Sequence, residues 1–195
     1  MHFGLPDYKR LLLRLFMKLM ITLALAILLG ACSIFAPTSK DAYTKLKHAT
    51  RLKSENNFSA ATRLSREAIR IFTDRKDVFG RSQALFFLGD VYKSQINWQD
   101  VSANNFIDVA LLQFKLSQKG FVSIGEKIQA SKSTLELASL LWALGDRSGA
   151  CMSYQSALNL YKSNEGYHKE FKLDNMKYKS AGELLQGRIN SHCGY

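Results

Sequence analysis

The stretch that decides the fold is residues 137–161, LASLLWALGDRSGACMSYQSALNLY, in which two runs of helix-forming residues flank a short break at residues 145–148. Small residues recur where two antiparallel helices would touch, and large ones fill the space around them. The small ones are Ala138, Gly145, Ala150 and Ala157, and the large ones are Leu137, Leu141, Tyr154 and Leu158. This pattern predicts a helical hairpin.

Further helices are predicted on the rest of the chain. Its only prolines are Pro6 and Pro37, and no run of alternating β-branched residues is bounded by turn signals. We therefore predict an all-α chain with helices over about 39–54, 58–73, 78–95, 98–117, 122–144, 148–162 and 168–190. Thr38 or Ser39 is expected to cap the first helix, with Asp41 in its first turn. Gly120 is expected to end the fourth helix, and Gly125 to weaken the start of the fifth.

The hairpin pattern recurs upstream. The alanines Ala68, Ala110 and Ala157 align in the second helix of each hairpin, and another alanine precedes each of them by seven residues. The third hairpin resembles the tetratricopeptide repeat at Leu137, Ala138, Leu141, Gly145, Ala150, Tyr154 and Ala157. The second hairpin shares Leu85, Leu88, Gly89 and Tyr92 with that pattern, and the first shares Ala49, Leu52, Phe58, Ala61 and Ala68.

The resemblance covers about residues 40–163 and implies a short solenoid of about three helical hairpins. Residues 164–195 would then supply a C-terminal capping helix and tail. Two departures stand out: the closing proline is absent, and the aligned alanines are 42 and then 47 residues apart, against about 34 in the standard repeat. A divergent helical bundle is the alternative.

The family's partner-binding groove, carried over by the resemblance, falls on the first helix of each hairpin. Its positions are Tyr43, Leu46, Thr50, Lys53, Gln83, Phe86, Asp90, Lys93, Lys132, Leu135, Ser139 and Trp142. Lys53 and Lys93 would be stacked neighbours that suit an acidic segment of a protein partner, or else part of a solvated face. Phe86 and Trp142 would be apolar anchors, or else ordinary packing between hairpins.

The N-terminus has the pattern of an export signal. An apolar run of 11 residues, Leu19–Leu29, follows a basic flank and is shorter than the roughly 20 residues that span a bilayer. Residues 1–31 are therefore predicted to be a signal peptide. Met17 would open a signal of ordinary proportions, so residues 1–16 are either translated or an over-long start.

The end of that signal, Leu29-Gly30-Ala31-Cys32, resembles a bacterial lipobox. The resemblance implies lipidation of Cys32, which would anchor the chain to a membrane through its lipid chains, with residues 32–39 as a short tether. Ser33 stands where an aspartate would signal inner-membrane retention, so the periplasmic face of the outer membrane is expected. The alternative is an ordinary signal peptide with an incidental cysteine.

The net charge of +11, of which residues 1–31 contribute four basic residues and one acidic residue, leaves +8 for the rest of the chain. An acidic partner is one interpretation and a solvated basic surface is the other. Export argues against nucleic acid. In an oxidising compartment Cys151 and Cys193 are expected to form a disulfide, the alternative being a buried Cys151 and a free Cys193.

No motif of catalysis, metal binding or cofactor binding is visible in the sequence, so no enzyme activity, metal or cofactor is expected. Small lipidated tetratricopeptide proteins resemble assembly factors of pilus, secretion and outer-membrane protein machines. The sequence therefore favours a non-catalytic adaptor that binds a protein partner. The alternatives are a regulator of cell-wall synthesis enzymes and an envelope hydrolase.

Overall fold

The computed structural model describes Met17 and residues 41–99, 105–163 and 180–194. The last three ranges contain seven α-helices and no strand, so the prediction of an all-α chain is confirmed for them. The helices are α1 (Ala42–Ser54), α2 (Phe58–Asp74), α3 (Val78–Lys93), α4 (Asn105–Ser123), α5 (Lys127–Ala143), α6 (Arg147–Lys162) and α7 (Ala181–Cys193).

Most of these helices begin at a polar side chain that accepts a hydrogen bond from a backbone N–H of the first turn. The capping residues of this kind are Asp41, Asn57, Asp77, Asp146 and Ser180. Such caps satisfy donors that have no partner inside the helix. Asp41 accepts from Thr44 N at 2.7 Å, which makes it the cap of α1 and not a residue of its first turn as predicted.

One connection is used four times, between α1 and α2, α2 and α3, α4 and α5, and α5 and α6. In each, the second residue after the helix has positive φ and the third is the N-cap of the next helix. The positive-φ residues are Asn56 (58°), Lys76 (56°), Gly125 (77°) and Gly145 (82°). Each N-cap donates its backbone N–H to a carbonyl five residues earlier, at 2.8–3.0 Å. This is the Schellman geometry, which turns the chain back with the last carbonyls satisfied.

The predicted boundaries of the fourth and fifth helices are wrong for a packing reason. Gly120 lies inside α4, where an added Cβ would be 2.0 Å from Ser82 Oγ of α3. The absence of a side chain at Gly120 therefore allows α4 to lie close to α3. Gly125 is the residue that takes the left-handed backbone, so α4 runs on to Ser123 and α5 begins only at Lys127.

The last helix also differs from the prediction. Ser180 has an extended backbone (φ −149°, ψ 162°), so the helix predicted over 168–190 is not continuous through it. The described helix runs from Ala181 to Cys193 and therefore contains Cys193. The predicted start at His168 lies outside the described residues.

Helices adjacent in the chain pack on one another, and α1 also contacts α3. The alanines expected at helix contacts, Ala49, Ala61, Ala138 and Ala150, are fully buried. Gly89 of α3 also lies at a close helix contact, because an added Cβ would be 3.0 Å from the ring of Phe114 in α4. Ala103, the alanine seven residues before Ala110, lies outside the described residues.

The core continues from the third hairpin into α7. One cluster joins Ala138 of α5, Tyr154 and Leu158 of α6, and Leu185 and Ile189 of α7. All five are buried, so α7 closes the apolar side of that hairpin. The removal of these apolar side chains from water is the main source of stability for the contact between α7 and the third hairpin.

Candidate partner-binding surface

The twelve residues predicted to form a groove lie on α1, α3 and α5, four to each helix. We call them the first-helix surface. Cross-helix contacts bring the three helices together: Lys53 of α1 pairs with Asp90 of α3, and Lys93 of α3 pairs with Glu136 of α5, Nζ to Oε2 2.5 Å. Leu88 and Tyr92 of α3 also share a core cluster with Leu140 of α5.

The two lysines predicted to receive an acidic partner already have carboxylate partners within the chain. Their side chains are 25% and 31% exposed, so they are neither buried nor freely solvated. Each pair offsets the lysine charge with a carboxylate of the neighbouring first helix. Asp90 was predicted on this surface as a separate position, whereas Glu136 was not predicted, because its pairing depends on how α5 is aligned with α3.

The aromatic members of the first-helix surface each touch another ring. Phe86 is half-buried and meets Phe114 edge to face, with ring centroids 5.4 Å apart. Tyr43 is 48% exposed and meets Phe72 in the same way at 4.8 Å. Burial and the nearby carboxylates of Asp77 and Asp41 raise the pKa of the Tyr43 hydroxyl. Tyr43 is thus the aromatic group that this surface offers most openly to a partner.

Trp142 lies at the other end of the surface and is half-buried. Its indole stacks on the imidazole of His192 in α7, and the guanidinium of Arg147 lies 5.5 Å from its ring centroid. A cation at that distance from an indole is attracted by the electron-rich face of the ring. Trp142 is therefore a contact between the third hairpin and α7, as well as a side chain at the surface.

The remaining members are polar or aliphatic. The hydroxyls of Thr50 and Ser139 donate to the carbonyls of Leu46 and Leu135, four residues earlier on the same helix, both at 3.0 Å. Leu46 and Leu135 are half-buried and pack against core clusters. Gln83 and Lys132 are half-buried as well. Each of the two hydroxyls is therefore engaged by a carbonyl of its own helix.

The cysteines at the C-terminal end form a disulfide. Cys151 near the start of α6 and Cys193 at the end of α7 are bonded, with their Cα atoms 5.7 Å apart. The bond fastens α7 to the third hairpin at the end where Trp142 meets His192. Cys32, the residue predicted to be lipidated, and the rest of the predicted signal peptide and tether lie outside the described residues, apart from Met17.

Within the described residues, no helix has the length and apolarity needed to span a membrane. Nor does any group of three or more His, Cys, Asp or Glu side chains in those residues come close enough together to hold a metal ion.

Comparison with known proteins assigns the chain to no family. No protein-family model matches it, and no curated protein shows significant sequence similarity to it.

Proposed function

We propose that the chain is a non-catalytic adaptor of the tetratricopeptide type, which binds a segment of a protein partner along the first-helix surface. The observation that carries the proposal is the pair of cross-helix contacts, Lys53–Asp90 and Lys93–Glu136. They place α1 and α3, and α3 and α5, within ion-pair distance of each other, so that residues from three separate hairpins can meet one ligand. The fourfold use of one connection supports a repeated architecture.

The partner's main contacts would be apolar. Because the lysines already have carboxylate partners, an acidic segment would gain little from them. Tyr43, with Leu46 and Leu135, instead offers area that a partner could cover. A few buried residues, tyrosine among the commonest, usually supply most of the binding energy at an interface.

The proposal includes an anchor at the periplasmic face of the outer membrane, through lipid on Cys32. The lipobox-like sequence Leu29–Cys32 supports the anchor, and Ser33 supports the outer membrane. A protein held there would act by bringing its partner to that membrane, as an assembly factor for a pilus, secretion or outer-membrane protein machine does.

Site-specific photo-crosslinking tests the binding surface. A photoreactive residue replaces Tyr43, Gln83 or Ser139 in turn, with exposed Leu112 of α4 and Met152 of α6 as control positions. The proposal expects the three surface positions to capture the same protein and the controls to miss it. Capture from the control positions alone would refute the surface. The captured protein's identity separates a machine component from a cell-wall synthesis enzyme.

Fractionation tests the anchor independently. Cys32→Ala should move the protein from the membrane to the soluble fraction, and Ser33→Asp should move it from the outer to the inner membrane. A Cys32→Ala protein that stays with the outer membrane would refute lipidation without bearing on the binding surface.

A further inference from the structure

A concave surface that shares no residue with the first-helix surface lies between α2 and the C-terminal end of α3. It encloses about 590 Å³ and is lined by Arg63, Arg66 and Arg70 of α2 and by Tyr92 of α3, among others. The arginines are three and four residues apart, which places them on one face of the helix. We call this surface the arginine groove.

The groove has a net positive charge, because the Glu67 carboxylate in its lining is already paired with Lys45 and Arg63. Among the described residues of its lining, Glu67 is the only acidic one. Lys45 Nζ lies 2.7 Å from one carboxylate oxygen of Glu67, and Arg63 Nη1 lies 2.8 Å from the other. The hydrogen bond from Lys45, followed by the charge of Lys45 and the contact with Arg63, lowers the pKa of Glu67, so it is ionised at neutral pH. Arg66 and Arg70 make no ion pair with any carboxylate of the described residues.

Arg66 is held in place by a neutral group. Its Nη2 donates to the hydroxyl of Tyr92 at 2.7 Å, and Tyr92 is only 8% exposed. The Tyr92 ring is stacked with Phe106 at a centroid distance of 6.1 Å, so the hydroxyl is well fixed. The guanidinium has further N–H donors, and its orientation is set before any ligand arrives. This lowers the entropy cost of binding.

The dimensions of the groove suit an extended chain. Arg66 and Arg70 are four residues apart on α2, a rise of about 6 Å. Side chains on the same side of an extended segment are two residues apart, or about 6.6 Å. Two carboxylates in such a segment can therefore meet the two guanidinium groups in turn. The concave shape also favours a chain that enters the groove over a flat membrane surface.

We propose that the arginine groove binds an acidic, extended segment of a protein, with carboxylates two residues apart paired to Arg66 and Arg70. This site is separate from the first-helix surface and does not depend on it or on the lipid anchor. It also identifies where the positive charge of the chain would meet an acidic partner, since Lys53 and Lys93, the lysines first considered for that role, are paired internally.

The test measures binding of a fluorescent peptide of alternating Glu and Ser to the full-length protein, by anisotropy. The variant Arg63→Gln/Arg66→Gln/Arg70→Gln is compared with Arg51→Gln/Arg81→Gln/Arg188→Gln, which removes the same charge from exposed positions elsewhere. We expect the first variant to bind about tenfold more weakly and the second to change about twofold or less. Equal weakening by both would overturn the proposal, because the attraction would then be a property of net charge.

Tyr92→Phe provides a test without a change of charge. It removes the hydroxyl that orients Arg66, and we expect the affinity for the Glu-Ser peptide to fall about threefold. Unfolding in urea, followed in parallel, identifies a variant that has lost its fold.

Binding to vesicles of anionic lipid is the last measurement. If the triple variant of the groove lowers binding to vesicles but leaves peptide affinity unchanged, the ligand is a membrane surface and the proposal is overturned.

Discussion

The indole of Trp142 lies nearly parallel to the imidazole of His192, with ring centroids 4.1 Å apart and an angle of 13° between the planes. The next residue, Cys193, is bonded to Cys151 of α6. One end of α7 is therefore held to both helices of the third hairpin, by an aromatic stack on α5 and a covalent bond on α6. Removing the disulfide or the aromatic stack therefore tests how α7 is held to the third hairpin.

Loss of the disulfide should destabilise the protein. The bonded cysteines are 42 residues apart, and a cross-link of that length restricts the unfolded chain. We expect the double variant Cys151→Ser/Cys193→Ser to lower the free energy of unfolding by about 2–4 kcal/mol, measured by urea denaturation. Reductant should lower the wild-type value by a similar amount and leave the double variant unchanged. Equal stability of wild type and double variant would contradict the prediction.

Release of α7 should also expose Trp142. The other tryptophan, Trp98, is 52% exposed and would mask the signal, so the measurement uses the Trp98→Phe variant. That substitution should change stability by only about 0.5 kcal/mol or less. In this background, reduction of the disulfide is expected to shift tryptophan emission to longer wavelength, since the stack on His192 loosens. His192→Ala should produce the same shift without reductant.

The repeated connection predicts opposite effects for two substitutions. Lys76 has φ 56°, a left-handed conformation that costs a residue with a Cβ about 1 kcal/mol. Lys76→Gly should therefore raise the free energy of unfolding by about 0.5–1 kcal/mol. Gly145 occupies the equivalent place at φ 82° with nothing within 4 Å of an added Cβ. Gly145→Ala should lower the free energy by about 1 kcal/mol through the backbone alone.

Lys76→Ala is the control for charge. It removes the same ammonium group as Lys76→Gly but keeps the strained conformation, so its stability should remain near that of the wild type. If Lys76→Ala stabilises the protein as much as Lys76→Gly does, the gain comes from charge and the conformational argument fails.

Local pattern was enough to predict the existence of the described helices. Apolar periodicity and turn residues placed α2 and α6 within a residue or so of their observed bounds. The choice between Gly120 and Gly125 as the end of α4 could not be made locally. Both can end a helix, and what decides is that Ser82 of another helix leaves no room for a side chain at Gly120.

The surfaces were harder to predict than the helices, because charge pairing depends on how separate helices are aligned. The spacing of Arg63, Arg66 and Arg70 can be read from the sequence. Their availability cannot, since it depends on Lys45 reaching Glu67 from α1 and on Tyr92 reaching Arg66 from α3. The same is true of Glu136 of α5, because its pairing with Lys93 depends on how α5 is aligned with α3.

The cross-helix pair Lys53–Asp90 should contribute modestly to stability and respond to charge reversal. Lys53→Glu places two carboxylates together and should lower the free energy of unfolding by about 1 kcal/mol, and Asp90→Lys should do the same by pairing two ammonium groups. The double variant Lys53→Glu/Asp90→Lys should recover most of the loss. Urea denaturation of the four proteins gives the coupling energy. A double variant whose loss equals the sum of the single losses would show that the two side chains do not interact.

The pair Lys45–Glu67 predicts how stability depends on pH. Lys45 is only 8% exposed, and its hydrogen bond lowers the pKa of Glu67 below the ordinary value of 4.5. A carboxyl group whose pKa is lower in the folded state stabilises the fold above the unfolded pKa, and that contribution is lost as the pH falls through the folded pKa. Glu67→Gln should therefore be less stable than wild type at pH 7, by about 1 kcal/mol, and the difference should close as the pH falls below the unfolded pKa and through the lower folded pKa.

Glu55→Gln is the matched control for that comparison. Glu55 is 55% exposed and lies 3.7 Å from Arg51, so its loss should change stability by about 0.5 kcal/mol or less at any pH. Asp41 also has a lowered pKa, chiefly through the hydrogen bond from the Thr44 hydroxyl, but it is present in all three proteins and cancels from the differences. Urea denaturation at intervals from pH 7 to about pH 3 gives the three curves. A constant difference in the free energy of unfolding between wild type and Glu67→Gln across this range would contradict the prediction. The Glu67 carboxyl would then have the same pKa in the folded and unfolded states, and Lys45 would not stabilise its charged form.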